Sequence, residues 1–262
     1  LGKKVYKELR KFGVGVKGVE FSPRGRMGLY FVDFLNSTNL AEVFYDRENS
    51  SFAISPLKEQ YVSFVRDAKI FHFTGITPGL GVQCRNNLKM LLNAIPTSTE
   101  VSFDTNYRQK LWSPCEFKKF FEDIISYVNI LFFKEEDFHY IFDEKIEDYD
   151  ILSYLQKNYG AEKIYVLTQG EKGCSVRYRN HYFSKPSFSV GRVIDKLGTG
   201  DAFVAGFLYG YLVEKSLEKA AIWGNAMAAI KMNVFGDFPA FEKELVEHLV
   251  RLPKEAERLI KR

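Results

Sequence analysis

From residue 55 onward, short runs of branched and aromatic residues alternate with longer segments whose apolar positions recur at helical spacing. Strands and helices in alternation with short connections permit few architectures. The pattern predicts an α/β fold: a doubly wound, mostly parallel sheet with helices on both faces. Strands are expected at 69–73 (KIFHF), 100–104 (EVSFD), 128–133 (VNILFF) and 163–168 (KIYVLT), with helices near 83–95, 135–141 and 148–159. Ser55-Pro56 reads as an N-cap with proline at the first helical position. Ser113-Pro114-Cys115-Glu116 reads as a capping box opening another helix. A short antiparallel section at about 173–184 interrupts the alternation, and helices near 200–213, 216–232 and 239–261 close the chain. His72, inside an expected strand, reads as structural.

Upstream of this region, residues 27–35 (MGLYFVDFL) and 41–45 (AEVFY) flank the turn-prone Asn36-Ser37-Thr38-Asn39 and predict a β-hairpin. Residues 16–49 are therefore expected as a small β appendage on an α/β domain formed by 1–15 and 50–262. The chain opens on Leu1-Gly2-Lys3-Lys4, already inside an amphipathic helical pattern (Val5, Leu9, Phe12) that stops at Gly13, and so reads as entered in the middle.

Composition removes several function classes. With 262 residues, 46% hydrophobic and 27% charged, the chain has the make-up of an ordinary soluble protein able to bury a full core. The longest weakly charged run, Ile194 to Tyr211, carries Asp195, Lys196 and Asp201, so no bilayer span is expected, and no signal-peptide pattern is seen. Cys84, Cys115 and Cys174 are odd in number, scattered and without a CxxC pair, which argues against a disulfide framework or a zinc site and favours a reducing cytoplasm. The net charge of +4 is small, with basic residues interleaved among acidic ones, so a nucleic-acid partner gains no support. Small anionic ligands remain.

In parallel sheets ligands bind outside the carboxyl ends of the strands. Four polar or glycine-rich clusters follow expected strands: Thr74-Gly75-Ile76-Thr77, Asp104-Thr105-Asn106-Tyr107-Arg108, Thr168-Gln169-Gly170, and Asp195 to Asp201. They are expected to converge on one rim. In the last cluster, Gly198 and Gly200 allow a tight backbone path, and the helix beginning near Gly200 offers unpaired N–H groups and the positive end of its dipole. Preorganised donors of this kind stabilise the charge on a phosphoryl group in transit. Asp201, in the first turn, is placed to accept a proton from an attacking hydroxyl. Read alone, Gly198-Thr199-Gly200-Asp201 is equally a plain helix entry with an acid favoured by the dipole. Ala202, Ala205 and Gly206 keep one face of the following helix thin, which suits a helix packed closely behind a phosphate site.

The segment resembles the carboxy-terminal signature of the ribokinase-like (PfkB) carbohydrate kinases, with Asp195, Gly198, Thr199, Gly200 and Asp201 in its places. Thr199 stands where alanine is usual and Lys196 where threonine is common. The resemblance implies an ATP-dependent phosphotransferase, with Mg²⁺, in which the Gly198-Gly200 turn is the anion hole and Asp201 the general base. Thr168-Gln169-Gly170-Glu171-Lys172-Gly173 is similar to the family's Thr-x-Gly-x-x-Gly nucleotide loop, which implies nucleotide contacts at Thr168, Gly170 and Gly173; as a bare pattern it equally fits a hairpin turn. At Lys134-Glu135-Glu136-Asp137 the family commonly has Asn-x-x-Glu. The departure there predicts a solvated helix start and no metal-ligating residues.

Within the family, the stretches Gly28-Leu29-Tyr30-Phe31, Tyr45-Asp46-Arg47, Phe71 to Thr77, Asp104 to Arg108 with Leu111-Trp112, and Gly236-Asp237-Phe238-Pro239 are most similar to the kinases of 2-keto-3-deoxygluconate. That resemblance implies transfer to the 6-hydroxyl of this sugar acid, with its galactonate epimer also in view. It implies substrate contacts from Tyr30, Tyr45, Arg47, Arg108, Asp201 and Asp237. A guanidinium suits the substrate carboxylate. Each residue also has a plain structural reading: Arg47 as a surface charge beside Asp46 and Glu48, Arg108 as a partner of Asp104, the tyrosines as packing, Asp237 as part of a turn. By the same resemblance the hairpin is a lid that closes over the sugar and joins copies of the chain into a homo-oligomer. The family's first βα unit is expected to be absent from this chain. Kinases of fructose, ribose or nucleosides, and a non-catalytic binding relative, are the alternatives.

Overall fold

Gly13 ends the opening helix (α1, Gly2–Lys11) in the left-handed conformation, φ 73°. Its N–H donates to Arg10 C=O at 3.0 Å and that of Val14 to Leu9 C=O at 3.0 Å, which satisfies carbonyls the helix end leaves open. The computed structural model describes residues 1–35, 40–142, 148–191, 193–237 and 242–251. The chain forms two compact units, Leu1–Val101 with Tyr107–Phe117, and Ser102–Asn106 with Lys118–Arg262. The hairpin thus shares a unit with residues on either side of it.

In the first unit, strands β1 (Leu29–Leu35) and β2 (Leu40–Asp46) form the expected antiparallel hairpin; its turn, 36–39, lies outside the described residues. The register pairs Tyr30 with Tyr45, Phe31 with Phe44 and Val32 with Val43. Alternation across the pleat sends the tyrosine pair and the phenylalanine pair to opposite faces.

The structure departs from expectation at Ser55-Pro56. The capping serine is Ser50, whose hydroxyl accepts from Ala53 N–H at 3.3 Å at the start of α2 (Ser51–Ile54). Ser55 ends that helix with extended backbone, ψ 129°, because proline pushes the residue before it out of the helical region. The unit continues through α3 (Ser63–Arg66), β3 (Ile70–Thr74), which contains His72, α4 (Ile76–Gly79) and α5 (Val82–Ala94). The Ser113 capping box is present: Glu116 N–H donates to Ser113 Oγ at 3.3 Å and Ser113 N–H to Glu116 Oε2 at 2.9 Å.

The second unit is built on β4 (Glu100–Asp104) from Ser102 onward, β5 (Ile130–Lys134), β6 (Ile164–Thr168), β7 (Cys174–Tyr178) and β8 (His181–Lys185), adjacent in that order. β4, β5 and β6 are parallel; β7 and β8 return antiparallel, where the sequence predicts the interruption. Helices α6 (Pro114–Ile124) from Lys118 onward, α7 (Glu135–Phe142), α8 (Asp148–Tyr159), α9 (Thr199–Glu214), α10 (Leu217–Met232) and α11 (Lys243–Arg251) complete it. Residues 252–261 of the last expected helix lie outside the described residues.

β5 shows why its first four residues, Ile130 to Phe133, are all apolar. Phe133 meets Phe121 of α6, ring centroids 5.9 Å apart, while its neighbour Phe132 meets Phe207 of α9 at 5.2 Å. Helices cover both faces, so Ile130 to Phe133 are buried and the strand meets water at its last residue, Lys134. α9 and α10 approach closely because glycines line their crossing. A Cβ on Gly206 would stand 2.6 Å from Trp223 O, and one on Gly210 would stand 2.9 Å from Ala220 Cα. Ala202 is buried as expected, but Ala205 is exposed; Gly210, four residues after Gly206, keeps the crossing face thin instead. Among the described residues, no helix is long and apolar enough to cross a membrane.

Candidate active site

β4, β5 and β6 run parallel, so the residues after β4 and β6 emerge at the same edge of the second unit's sheet. After β4 the chain turns sharply. Asp104 Oδ1 accepts from Asn106 N–H at 3.1 Å, and Asn106 adopts φ 36°. A short side chain that bonds locally tolerates this backbone better than most. The turn aims Asn106 Nδ2 at Asp201 Oδ1, 3.4 Å away in the first turn of α9.

α9 starts as the sequence predicts. Gly198 is its N-cap at φ 71°, and no side chain caps the exposed N–H groups. Thr199 turns inward: its N–H and hydroxyl both reach Lys196 C=O, at 3.3 and 2.8 Å. The open donors are therefore the N–H groups of Gly200 and Asp201. A Cβ on Gly200 would meet nothing within 4 Å, so the backbone stands bare to an approaching group. Uncapped donors, the helix dipole and an exposed carboxylate together have the chemistry to bind an anion and to take up a proton beside it.

Asp195 builds the loop that leads into this turn. Its Oδ1 accepts from Leu197 N–H at 2.8 Å and its Oδ2 from Gly236 N–H at 2.9 Å. That second bond draws residue 237 to the turn: Asp237 Oδ1 lies 3.7 Å from the place a Cβ on Gly198 would occupy. Gly198, Asp201 and Asp237 are thereby gathered in one unit.

The loop after β6 connects antiparallel strands. Thr168 Oγ1 donates to Phe133 C=O at 3.3 Å, and Gly170 adopts φ 58° with open space where a Cβ would be. Gly173 is different. It is buried, and a Cβ there would fall 2.1 Å from Lys185 O, so its glycine serves close packing. At the start of α7, Lys134 pairs with Glu136 on the exposed surface, as a solvated helix start requires. Among the described residues, no three His, Cys, Asp or Glu side chains are grouped to hold a metal ion.

The first unit gathers the other expected residues. The Arg47 guanidinium lies over two rings, 4.9 Å from the centroid of Tyr45 and 5.3 Å from that of Tyr30. Asp46 is instead engaged by Arg26, which also donates to the carbonyls of Asp46 and Glu48 at 2.8 and 3.2 Å. Arg47 is therefore a half-buried cation on an aromatic platform, not a surface charge. Burial, opposed by Tyr45 and reinforced by the like charge of Arg108, pulls its pKa below the ordinary arginine value. Arg108 is half-buried and donates to Tyr107 C=O at 2.9 Å. It lines a cleft of about 380 Å³ with Val43, Tyr45 and Lys110. Tyr107 is anchored in turn, its hydroxyl donating to Trp112 C=O at 2.9 Å. Two partly desolvated cations of like charge suit an anionic ligand.

Sequence reasoning did not single out two residues. Asn106 sits in a quoted cluster, and its position two residues beyond a strand was the available signal. Lys231, fully buried beside Asp195, gave none, because a lysine in a helix is ordinarily exposed.

A sequence model described as pfkB family carbohydrate kinase matches residues 1–243. A 2-dehydro-3-deoxygalactonokinase of Haloferax volcanii is 32% identical over 252 residues, 96% of this chain and 78% of that protein. A fructokinase of Oryza sativa is 29% identical over 246 residues, 88% of this chain and 70% of that protein. The crystal structure of a 2-dehydro-3-deoxygluconokinase from Thermotoga maritima superposes with a TM-score of 0.84 at 27% identity, covering 95% of this chain and 79% of that one.

Proposed function

This chain belongs to the pfkB family of carbohydrate kinases, and on that premise we propose that it transfers the terminal phosphoryl group of ATP to the 6-hydroxyl of 2-keto-3-deoxygluconate, the compound also called 2-dehydro-3-deoxygluconate, or of its galactonate epimer. The observation that carries the chemistry is the start of α9, where uncapped N–H donors and Asp201 stand side by side. Asp201 takes the proton of the attacking hydroxyl as its oxygen bonds to phosphorus and the bond from phosphorus to ADP breaks. The Gly198-Gly200 turn stabilises the oxygens that carry charge in that step. Asn106 fixes the rotamer of Asp201, and Asp237 holds a substrate hydroxyl.

The two arginines support a sugar acid over a neutral sugar. In this reading Arg47 and Arg108 bind the carboxylate, and the hydroxyls of Tyr30 and Tyr45 orient the chain of the sugar. Thr168 and Gly170 meet the nucleotide, while Gly173 shapes their loop. Magnesium, when bound, neutralises charge on the phosphates of ATP.

The hairpin is assigned as a lid that excludes water from the phosphoryl donor. Phe31 and Phe44, paired on one face and 58% and 48% exposed, suit contact with a second copy of the chain. Cys84, Cys115 and Cys174 are all free thiols, which fits a reducing cytoplasm and its ATP.

ADP release from Mg-ATP with 2-keto-3-deoxygluconate, its galactonate epimer, fructose and ribose tests the reading. Turnover on either keto acid at least tenfold above both neutral sugars supports it; preference for fructose or ribose would overturn the assignment of the arginines.

A further inference from the structure

Lys231, in the last turn of α10, is fully buried (0% of its side chain exposed) and sits directly behind the anion turn. Its Nζ donates to Val234 C=O at 3.0 Å and Asp195 C=O at 3.3 Å, and lies 3.9 Å from Asp195 Oδ2. Its Cε is 3.6 Å from the place a Cβ on Gly198 would take. Burying an ammonium costs several kcal/mol unless oxygens surround it, and an apolar side chain of similar volume generally serves stability better. A second cost is its position. A cation beside the N-terminus of α9 opposes the dipole of that helix. Stability alone does not account for a lysine here.

What the ammonium does is geometric. It bonds both strands of backbone forming the site: the Asp195 segment that enters the turn and the Val234 segment that leads to Asp237. Asp195 completes the tie through Leu197 N–H and Gly236 N–H. A carboxylate oxygen with two carbonyl oxygens is also the donor set that would suit a bare monovalent cation.

We propose that Lys231 is a positioning residue that acts as a built-in cation, holding the Gly198–Asp201 turn and Asp237 in register, so that this kinase needs no added potassium. The inference rests on the kinase activity, and binding of ATP gives a readout that needs no acceptor sugar.

The experiment compares turnover and calorimetric ATP affinity in buffers of equal ionic strength containing choline or potassium chloride. For the unaltered chain both change by less than about twofold. For Lys231→Ala, kcat falls by about 100-fold, the loss expected when reacting groups shift by about an ångström, and potassium or ammonium restores part of it while choline does not. A purely structural lysine would lower the folded fraction without cation-specific rescue. If the variant does not fold, the unaltered chain still decides. A rise of tenfold or more with potassium in that chain, or a Lys231→Met variant with undiminished kcat, would overturn the proposal. Absence of turnover with ATP affinity intact and indifferent to potassium counts against the acceptor assignment instead.

Discussion

Asn106 Nδ2 lies 3.4 Å from Asp201 Oδ1, joining the turn after β4 to the first turn of α9 across 95 residues of sequence. The contact leaves the other carboxylate oxygen of Asp201 free of this bond and turned by it. Replacing Asp201 by Asn keeps the shape and removes the proposed base. Turnover is expected to fall by about 10³-fold, within the usual range for a lost general base, with ATP affinity retained. Asn106→Ala should lower kcat by roughly tenfold, the value of one hydrogen bond to a charged group. Steady-state kinetics of both variants check the ranking; equal losses would mean that Asn106 does more than orient.

The Arg47 platform predicts a split between cation and ring. Arg47→Lys keeps a charge but loses the planar fork over Tyr30 and Tyr45, and KM for the sugar acid should rise by about tenfold with the KM for ATP unmoved. Arg47→Ala should raise it further. An unchanged acid KM in both variants would return Arg47 to a packing role.

The crossing of α9 and α10 predicts a stability effect remote from chemistry. Gly206→Ala sets a methyl against Trp223 O, and overpacking of this kind costs about 1–3 kcal/mol. At this chain length each kcal/mol lowers the Tm by about 2–4 °C. Because α9 carries Asp201, some loss of kcat should accompany the loss of Tm. Calorimetry together with turnover below the transition separates the two.

Alkaline pH should unfold the chain through buried acids that resist ionising. Burial pushes the Cys174 thiol from 9.0 up to about 12, opposed by Asn225. A group whose pKa is raised on folding contributes stability that is complete below the unfolded pKa and lost as pH rises toward the folded one. Between about pH 9 and about 12 this thiol alone steepens the loss by about 1.4 kcal/mol per pH unit. Burial pushes Tyr159 in the same direction, to about 12. Urea titrations across this window should show a falling midpoint, and Cys174→Ala should reduce the slope.

The elements most legible in the sequence were those decided locally. Apolar runs gave β4 its bounds at Glu100–Asp104, and the Ser113 box and the Gly13 stop followed from their own capping chemistry. The Ser55-Pro56 start misled because two rules compete there: proline suits the first helical position, yet it forces the residue before it into extended backbone, and Ser50 had already capped a helix. Ala205 misled because helical spacing alone does not say which of two thin stripes faces the neighbour. The anion turn was readable from Gly198, Gly200 and Asp201, since backbone freedom and charge lie within four residues. Lys231 was not, because its meaning comes from Asp195 and Val234, which only the closed fold brings to its Nζ. Gly173 was readable as a loop glycine, but the packing of Lys185 against it was not.

If Arg108 reads the carboxylate of a sugar that ATP then phosphorylates, preference for the acid over a neutral sugar depends on its guanidinium. The ratio of kcat/KM for 2-keto-3-deoxygluconate to that for fructose, measured in the unaltered chain and in Arg108→Ala, tests it most directly. The expected ratio is well above one and collapses by about 100-fold in the variant, about the worth of one lost charge-assisted pair, with kcat/KM for fructose nearly unchanged. A ratio unmoved by the substitution, or a loss shared equally by both sugars, would contradict it.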